Sequence, residues 1–272
     1  MKKIIFIAIT LLPVKIFAQS AIEQIISAEK SFAETSKTAG TKKAFLSFAD
    51  SECVGFNKGN EINIFDNWTA KKADSTKLYW QPELTVAAVS GDMGITTGPW
   101  QYYKNSLSDT PLAHGQFASV WQKKTDGKWK VFVDIGISFT EKTKEVSTSK
   151  KIVLSKQQYR LTYESELDKA NDVFAYEFIK DKDAALNKYM DEDCVVLIEG
   201  HAPLKGSKAI KANAEIIPDG LRLKQSGNYF SGVKDLLAAY GTATAGDKKM
   251  GYLCVWKRRG DNWKLLMLAI SY

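Results

Sequence analysis

The fold is decided by a repeated stretch, VWQKKTDGKWK at residues 120–130 and VWKRRGDNWK at residues 255–264. Each copy has the pattern of a β-hairpin, with a polar turn containing Gly and Asp between two strands. An earlier pair, DSECV at residues 50–54 and DEDCV at residues 191–195, keeps the same order relative to the hairpins. The sequence therefore predicts two copies of one domain in a single chain.

Both copies place helices before strands. In the first copy Ile22, Ile25, Ile26 and Phe32 recur at helical spacing, which predicts an amphipathic helix. A shorter helical pattern follows, and after Cys53 the sequence is rich in strand signals up to residue 138. We expect an α+β fold in which each copy packs its N-terminal helices on a curved, mainly antiparallel sheet.

The chain divides into four predicted segments. Residues 1–18 form a signal peptide, residues 21–140 the first domain and residues 157–272 the second domain. Residues 141–156 are largely polar and predict a linker. Domains of this length are large enough for each to have its own hydrophobic core.

The N-terminus predicts export. Lys2 and Lys3 precede an apolar run at residues 4–14, and Ala18 offers a small residue for cleavage, which is typical of a secretory signal peptide. The run is shorter than the roughly 20 residues that span a bilayer, and no other stretch is long and apolar enough. We expect a periplasmic or secreted protein with no membrane span.

Charge and composition disfavour several classes of partner. Cleavage after Ala18 removes three lysines and lowers the net charge from +7 to +4. The remaining lysines are scattered, so no nucleic-acid partner is expected. With two histidines, three cysteines and no paired ligand spacing, the sequence predicts no metal site and no cofactor. Cys53 and Cys194 fit small buried positions, and a bridge between Cys194 and Cys254 remains open.

Three stretches resemble the NTF2-like superfamily, most closely its SnoaL-like and DUF4440-type exported bacterial domains. They are LYWQP at residues 78–82, SGDMGITTGPW at residues 90–100, and the hairpin at residues 120–130 continuing to Asp134. The resemblance implies two tandem cone-shaped domains, each with a pocket open at one end. The superfamily includes ketosteroid isomerase, polyketide cyclases, dehydratases and members that only bind ligands, so the fold does not decide the activity.

Asp134 is the first candidate for chemistry. Strand alternation from residue 130 to residue 138 places it on one face with Phe132 and Gly136. The opposite face is apolar: Val131, Val133, Ile135 and Ile137. Burial among aromatic rings would raise the pKa of a carboxyl group and make it a useful general base, whereas an Asp on a strand is more often exposed. The second copy has Leu268 at the equivalent position.

The other candidate site residues come from neighbouring strands. His114 shares a strand face with Gln116 and could relay a proton beside Asp134, although a surface role suits it equally. Trp80, Trp100 and Tyr102 could line a ligand pocket together with Gln116, because aromatic rings supply large contact areas. They could instead fill the core of the domain.

Three functions remain open on the sequence. The first is a protein that binds a small, partly apolar molecule in the pocket of the first domain. The second is a lyase or isomerase with Asp134 as general base, and the third is an envelope protein whose pockets are filled by its own side chains. The two domains could pair with each other as an internal pseudo-dimer, or the chain could form a homodimer.

Overall fold

The computed structural model describes residues 13–141, 146, 148–155 and 169–272. Residues 1–12 of the predicted signal peptide, part of the predicted linker and the start of the second predicted domain lie outside the described residues. The helices are α1 (Pro13–Ala39), α2 (Thr41–Phe48), α3 (Ile64–Ala70), α4 (Lys169–Lys180), α5 (Lys182–Tyr189) and α6 (Ser207–Ala212).

The strands follow the helices in both halves of the chain. In the first half they are β1 (Ala49–Asn57), β2 (Asn60–Asn63), β3 (Lys77–Trp80), β4 (Leu84–Ala87), β5 (Met93–Tyr103), β6 (Ala113–Lys123) and β7 (Trp129–Ser138). They continue with β8 (Lys150–Val153), β9 (Met190–Ile198), β10 (Leu204–Lys205), β11 (Arg222–Phe230), β12 (Leu236–Ala245), β13 (Lys248–Arg259) and β14 (Asn262–Ser271). The predicted α+β class is confirmed.

The strands form two sheets with matching orders. The first runs β2-β1-β7-β6-β5-β4-β8, with β3 also paired to β5, and the second runs β10-β9-β14-β13-β12-β11. Most neighbours are antiparallel, but β1 pairs in parallel with β7, and β9 pairs in parallel with β14. Strand β8 lies within the predicted linker and joins the first sheet in parallel with β4.

In each sheet, one glycine on the fifth strand of the order given above lets the backbone of the neighbouring segment approach closely. A Cβ on Gly98 would lie 1.8 Å from the carbonyl oxygen of Gln81, and a Cβ on Gly241 would lie 2.2 Å from that of Lys224. Both distances are far inside van der Waals contact, so only glycine fits. The two glycines therefore occur at the same position in both halves because the neighbouring strand bends towards them.

The alternation predicted for β7 is wrong at its start because of a β-bulge. Val120 pairs with Val133, but the next residue of β6, Trp121, pairs with Val131. Phe132 is therefore an extra residue. It packs on the outer side of the sheet, with its ring centroid 5.5 Å from that of Tyr229, while Val131 joins the core beneath the helices.

The outer faces of the two sheets pack against each other. A shared apolar cluster includes Val133, Ile135, Val195, Leu197, Leu253, Val255 and Ala269. Polar contacts border it: the Ser138 hydroxyl donates to Glu199 Oε1 at 2.5 Å, and the Ser271 hydroxyl donates to the Gly136 carbonyl oxygen at 2.7 Å. Each half thus covers apolar surface that the other would expose to water.

Two further expectations from the sequence concern a disulfide bridge and membrane-spanning segments. Cys53, Cys194 and Cys254 are all buried and free, so the bridge left open between Cys194 and Cys254 is not formed. Among the described residues, no helix is both long enough and apolar enough to cross a membrane.

Candidate functional site

A cavity of about 320 Å³ lies between the N-terminal helices and the concave face of the first sheet. Its lining is mostly aromatic: Phe32, Phe45, Leu78, Trp80, Trp100, Tyr102, Ala113, Phe117, Ser119, Asp134 and Gly136. Phe32, Trp80 and Phe117 are buried, whereas Trp100 and Tyr102 are half-buried. The latter two therefore lie nearer to the mouth of the cavity. Its size and apolar walls are typical of a site for a small molecule.

Two glycines leave room for the indole ring of Trp100 on the cavity wall. A Cβ on Gly115 would lie 2.7 Å from carbons of the indole ring, and a Cβ on Gly136 would lie 3.6 Å from its Nε1. The ring therefore lies against the backbone of β6 and β7, where a side chain at position 115 would displace it. Trp100 Nε1 donates a hydrogen bond to the Ile137 carbonyl oxygen at 3.1 Å, which fixes the orientation of the ring.

Asp134 brings a carboxyl group into this apolar surface. Beyond the bulge at Phe132 the alternation of β7 is regular and places Asp134 and Gly136 on the face that lines the cavity. Asp134 Oδ1 accepts a hydrogen bond of 2.6 Å from the Ser119 hydroxyl. Desolvation raises the pKa of Asp134 to about 6, although the bond from Ser119 opposes the shift. The group is therefore mainly ionised at neutral pH and within reach of protonation.

A second carboxyl group, that of Glu29 on α1, lies fully buried behind the cavity wall. Glu29 Oε1 accepts from Trp80 Nε1 at 2.5 Å, and its Oε2 accepts from Thr96 Oγ1 at 2.5 Å and from Trp121 Nε1 at 2.9 Å. We call these four residues the Glu29 cluster. Desolvation and, less strongly, the charge of Asp134 raise the pKa of Glu29 to about 7, against the three hydrogen bonds.

Sequence reasoning missed Glu29, although a signal was present. It lies three residues after Ile26 and three before Phe32, on the apolar stripe of α1. An acidic residue on the buried face of a helix needs a hydrogen-bonded partner in the core. Those partners are the indoles of Trp80 and Trp121, and the sequence predicts for Trp80 a place on a pocket wall or in the core but no hydrogen bond to an acid.

The structure does not bring His114 to Asp134. His114 lies on the opposite face of β6 from Ser119, its ring packs edge-on to Phe139, and a ring nitrogen is 2.8 Å from the Glu141 carbonyl oxygen. A proton relay between His114 and Asp134 would have to pass through the sheet. The predicted pairing of these two residues is therefore wrong.

Gln116 also lies away from the cavity. It shares the outer face of β6 with His114, as the sequence predicted, and is buried between the sheets. Its Nε2 donates to Glu83 Oε2 and to Thr97 Oγ1, both at 3.3 Å. Of the four predicted ligand-binding residues, Trp80, Trp100 and Tyr102 line the cavity, and their role in binding stays a prediction.

The second half has apolar residues where the first has its carboxyl group and hydroxyl. Cys254 pairs with Leu268 as Ser119 pairs with Asp134, one step before the bulge in each hairpin. Leu268 and Cys254 are both fully buried in the core of the second half. The register of the strands therefore supports the sequence-based match between Asp134 and Leu268.

The described residues of the second half also contain no equivalent of the Glu29 cluster. Asn171 stands three residues before Phe174, as Glu29 stands before Phe32, but its Nδ2 donates to the Tyr252 hydroxyl at 3.1 Å. The indole nitrogen of Trp256, the counterpart of Trp121, is buried without a hydrogen-bond partner among the described residues. Both acids of the first half are thus particular to it.

Three adjacent acids, Asp191, Glu192 and Asp193, place their carboxylate oxygens within 4.8 Å of one another. Lys257 Nζ lies 2.8 Å from Asp191, Arg259 lies 3.2 Å from Asp191 and 2.8 Å from Glu192, and Lys150 Nζ lies 2.6 Å from Asp193. The negative charge is therefore balanced by neighbouring cations. The group is accounted for by ion pairs between strands.

No protein-family model and no curated protein matches the chain. Among solved structures, an NTF2-like protein from Cytophaga hutchinsonii is 14% identical, covers 41% of this chain and 98% of its own, and gives a TM-score of 0.34. A ketosteroid isomerase-like protein from Erwinia carotovora atroseptica is 12% identical, with coverages of 44% and 97% and a TM-score of 0.35. An NTF2-like protein with a cystatin-like fold from Novosphingobium aromaticivorans is 11% identical, with coverages of 47% and 88% and a TM-score of 0.37.

Proposed function

We propose that the first half binds a small, largely apolar molecule in its cavity, with Asp134 and Ser119 as the polar anchor. The observation that carries this proposal is the cavity of about 320 Å³, whose aromatic walls surround a single carboxyl group. Apolar area supplies affinity, and one or two directed polar groups supply orientation. The second half, with Leu268 and Cys254 at the equivalent positions, acts in this proposal as a scaffold.

Binding is preferred to catalysis because, among the described residues that line the cavity, Tyr102 is the one possible acid–base partner of Asp134. The raised pKa of Asp134 favours the second candidate, a lyase or isomerase in which this carboxyl group removes a proton. That reaction also needs a group to stabilise the developing charge, and His114 lies on the far side of the sheet. The third hypothesis, a protein with filled pockets, is disfavoured for the first half by the open cavity.

Filling the cavity tests the binding proposal. Ile270 stands in the second half where Gly136 stands in the first, since they pair with Tyr252 and Phe117 respectively. A Cβ at position 136 meets nothing closer than 3.6 Å, so Gly136→Ile should fold and place its side chain in the cavity. We expect at least about tenfold weaker binding of small aromatic probes such as 3-tert-butylphenol, measured by calorimetry. Unchanged affinity in a folded variant would place the probe elsewhere.

The chain is further proposed to be an exported tandem pair of NTF2-like domains of the SnoaL-like or DUF4440 type, cleaved after Ala18. The support is the matching strand order of the two sheets and the signal-like N-terminus. The described buried positions of α1 begin at Ala21, so cleavage after Ala18 would leave them all in the mature chain.

The two halves are proposed to form an internal pseudo-dimer. Their outer sheet faces already cover each other through Val133, Ile135, Leu253 and Val255, which leaves those faces unavailable to a second chain. We expect light scattering coupled to size exclusion to give the mass of one mature chain at micromolar concentration. A stable mass of twice that value would contradict this arrangement.

A further inference from the structure

Among the described residues that line the cavity, one can carry a negative charge and none carries a positive charge. The Asp134 carboxyl group is within hydrogen-bond distance of the Ser119 hydroxyl, and the described residues that line the cavity include no Lys, Arg or His. A carboxylate in such surroundings has lost most of its hydration without gaining a counter-ion. The chain therefore holds an unpaired acidic group directed into an apolar space.

The walls of the cavity suit a positive charge as well as an apolar body. Phe32, Phe45, Trp80, Trp100, Tyr102 and Phe117 all line it. Aromatic faces attract organic cations through their electron-rich π-systems, and groups of such faces recognise quaternary ammonium ions. Trp100 is held against the strands by its bond to Ile137, so its ring is already in place before a ligand arrives.

We propose that the ligand of this cavity is an organic cation, a quaternary ammonium or protonated amine carried on a small apolar body. The inference rests on the proposed function, that the cavity binds a small molecule. The ammonium group pairs with the Asp134 carboxylate, and its alkyl groups contact the surrounding aromatic rings. An anionic ligand would meet an uncompensated carboxylate, and a neutral one would leave that carboxylate unpaired.

The other titratable groups around Asp134 include a carboxyl group, a thiol and a phenol. Glu29 on α1 interacts electrostatically with Asp134, and Cys53 on β1 does the same. Tyr102 on β5 lines the cavity beside them. Ionised Glu29 adds negative charge and so favours a cation, whereas burial raises the pKa of the Cys53 thiol and keeps it neutral. Protonation of Asp134, whose pKa lies at about 6, removes the anchor, and affinity for the cation should fall as the pH is lowered from 7.5 to 5.

A pair of isosteric ligands tests the inference. (3-Hydroxyphenyl)trimethylammonium and 3-tert-butylphenol have the same shape and differ in one positive charge. We expect the wild-type chain to bind the cation at least about tenfold more tightly at pH 7.5, as measured by calorimetry. Equal affinities would overturn the cation inference and leave the proposed function standing. Binding of neither ligand by the folded chain would contradict both.

Two variants test whether the cation binds in the cavity beside Asp134. Asp134→Asn keeps an acceptor for the Ser119 hydroxyl but removes the charge, so its preference for the cation over 3-tert-butylphenol should fall to about threefold or less. An unchanged circular dichroism spectrum serves as the control for folding. A cation preference that survives in Asp134→Asn, or cation binding that survives in Gly136→Ile, would show that the cation binds outside the cavity and overturn the inference.

Discussion

Replacing Glu29 with alanine should destabilise the protein by about 4 kcal/mol, because Trp80 Nε1 and Thr96 Oγ1 lose their acceptor and Trp121 Nε1 keeps only Thr96 Oγ1, at 2.9 Å. Trp80 Nε1, Thr96 Oγ1 and Trp121 Nε1 all donate to this one carboxyl group, at 2.5, 2.5 and 2.9 Å. Each unsatisfied buried donor costs about 1 to 3 kcal/mol, and the shortened side chain leaves a void as well. Urea unfolding at pH 7, followed by tryptophan fluorescence, measures the loss.

Two control variants separate this network from a general effect of altering α1. Glu29→Gln keeps one acceptor oxygen but turns the other into a donor, so it should lose only about 1 to 2 kcal/mol. Glu34→Ala, on the exposed side of the same helix, removes only a 3.5 Å surface pair with Lys37 and should change stability by less than about 0.5 kcal/mol. Similar losses in Glu29→Ala and Glu34→Ala would mean that the buried network contributes nothing particular.

The fold could be predicted well from the sequence because its signals are local. The hairpin repeat at residues 120–130 and 255–264 fixes turn positions, and the helical stripe that begins at Ile22 fixes α1. The bulge at Phe132 could not be predicted, because alternating Val residues on both sides of it give no local sign of an extra residue. The bulge arises because Trp121 pairs with Val131, and the pairing between strands cannot be read from the local sequence.

The site was predicted less completely, for the same reason. Asp134 stood out as a lone acid in an apolar strand, and the structure directs it into the cavity. For His114 the sequence leaves open a place beside Asp134 or on the surface, because the face of a residue near a strand end depends on register. Glu29 is 105 residues before Asp134 in the sequence, and only the packing of α1 on the sheet brings them within electrostatic reach.

Stability should fall as the pH rises from 5 to 8, and this is the second large effect expected of the chain. Glu29 has a pKa of about 7 in the folded state against an ordinary value of 4.5, and Asp134 has a pKa of about 6 against 3.8. Between these limits the folded chain holds protons that the unfolded chain has released. The unfolded state is therefore favoured as the pH rises, and the destabilisation is complete once both groups ionise in the fold.

The size of the effect follows from the two shifts. One pKa unit corresponds to about 1.4 kcal/mol, and the two shifts together amount to about three units between pH 5 and pH 8, so the unfolding free energy at pH 8 should lie about 4 kcal/mol below that at pH 5. Burial also raises the pKa of Asp235, which acts in the same direction. Urea titrations at four pH values between 5 and 8, at constant ionic strength, measure the slope.

Two variants test whether Glu29 and Asp134 cause the fall of stability with rising pH. Glu29→Gln and Asp134→Asn should each flatten it, and Asp134→Asn should also raise stability at pH 8, because a buried charge is removed while the bond from Ser119 can remain. Asp126→Asn is the matched control: its partner Lys128 lowers the pKa of Asp126 from 3.8, so its effect lies below pH 4 and the slope should not change. A flat slope or one of opposite sign in the wild type would mean that both carboxyl groups ionise in the fold at least as easily as in water, and the cavity would then lack the low polarity on which its preference for a cation depends.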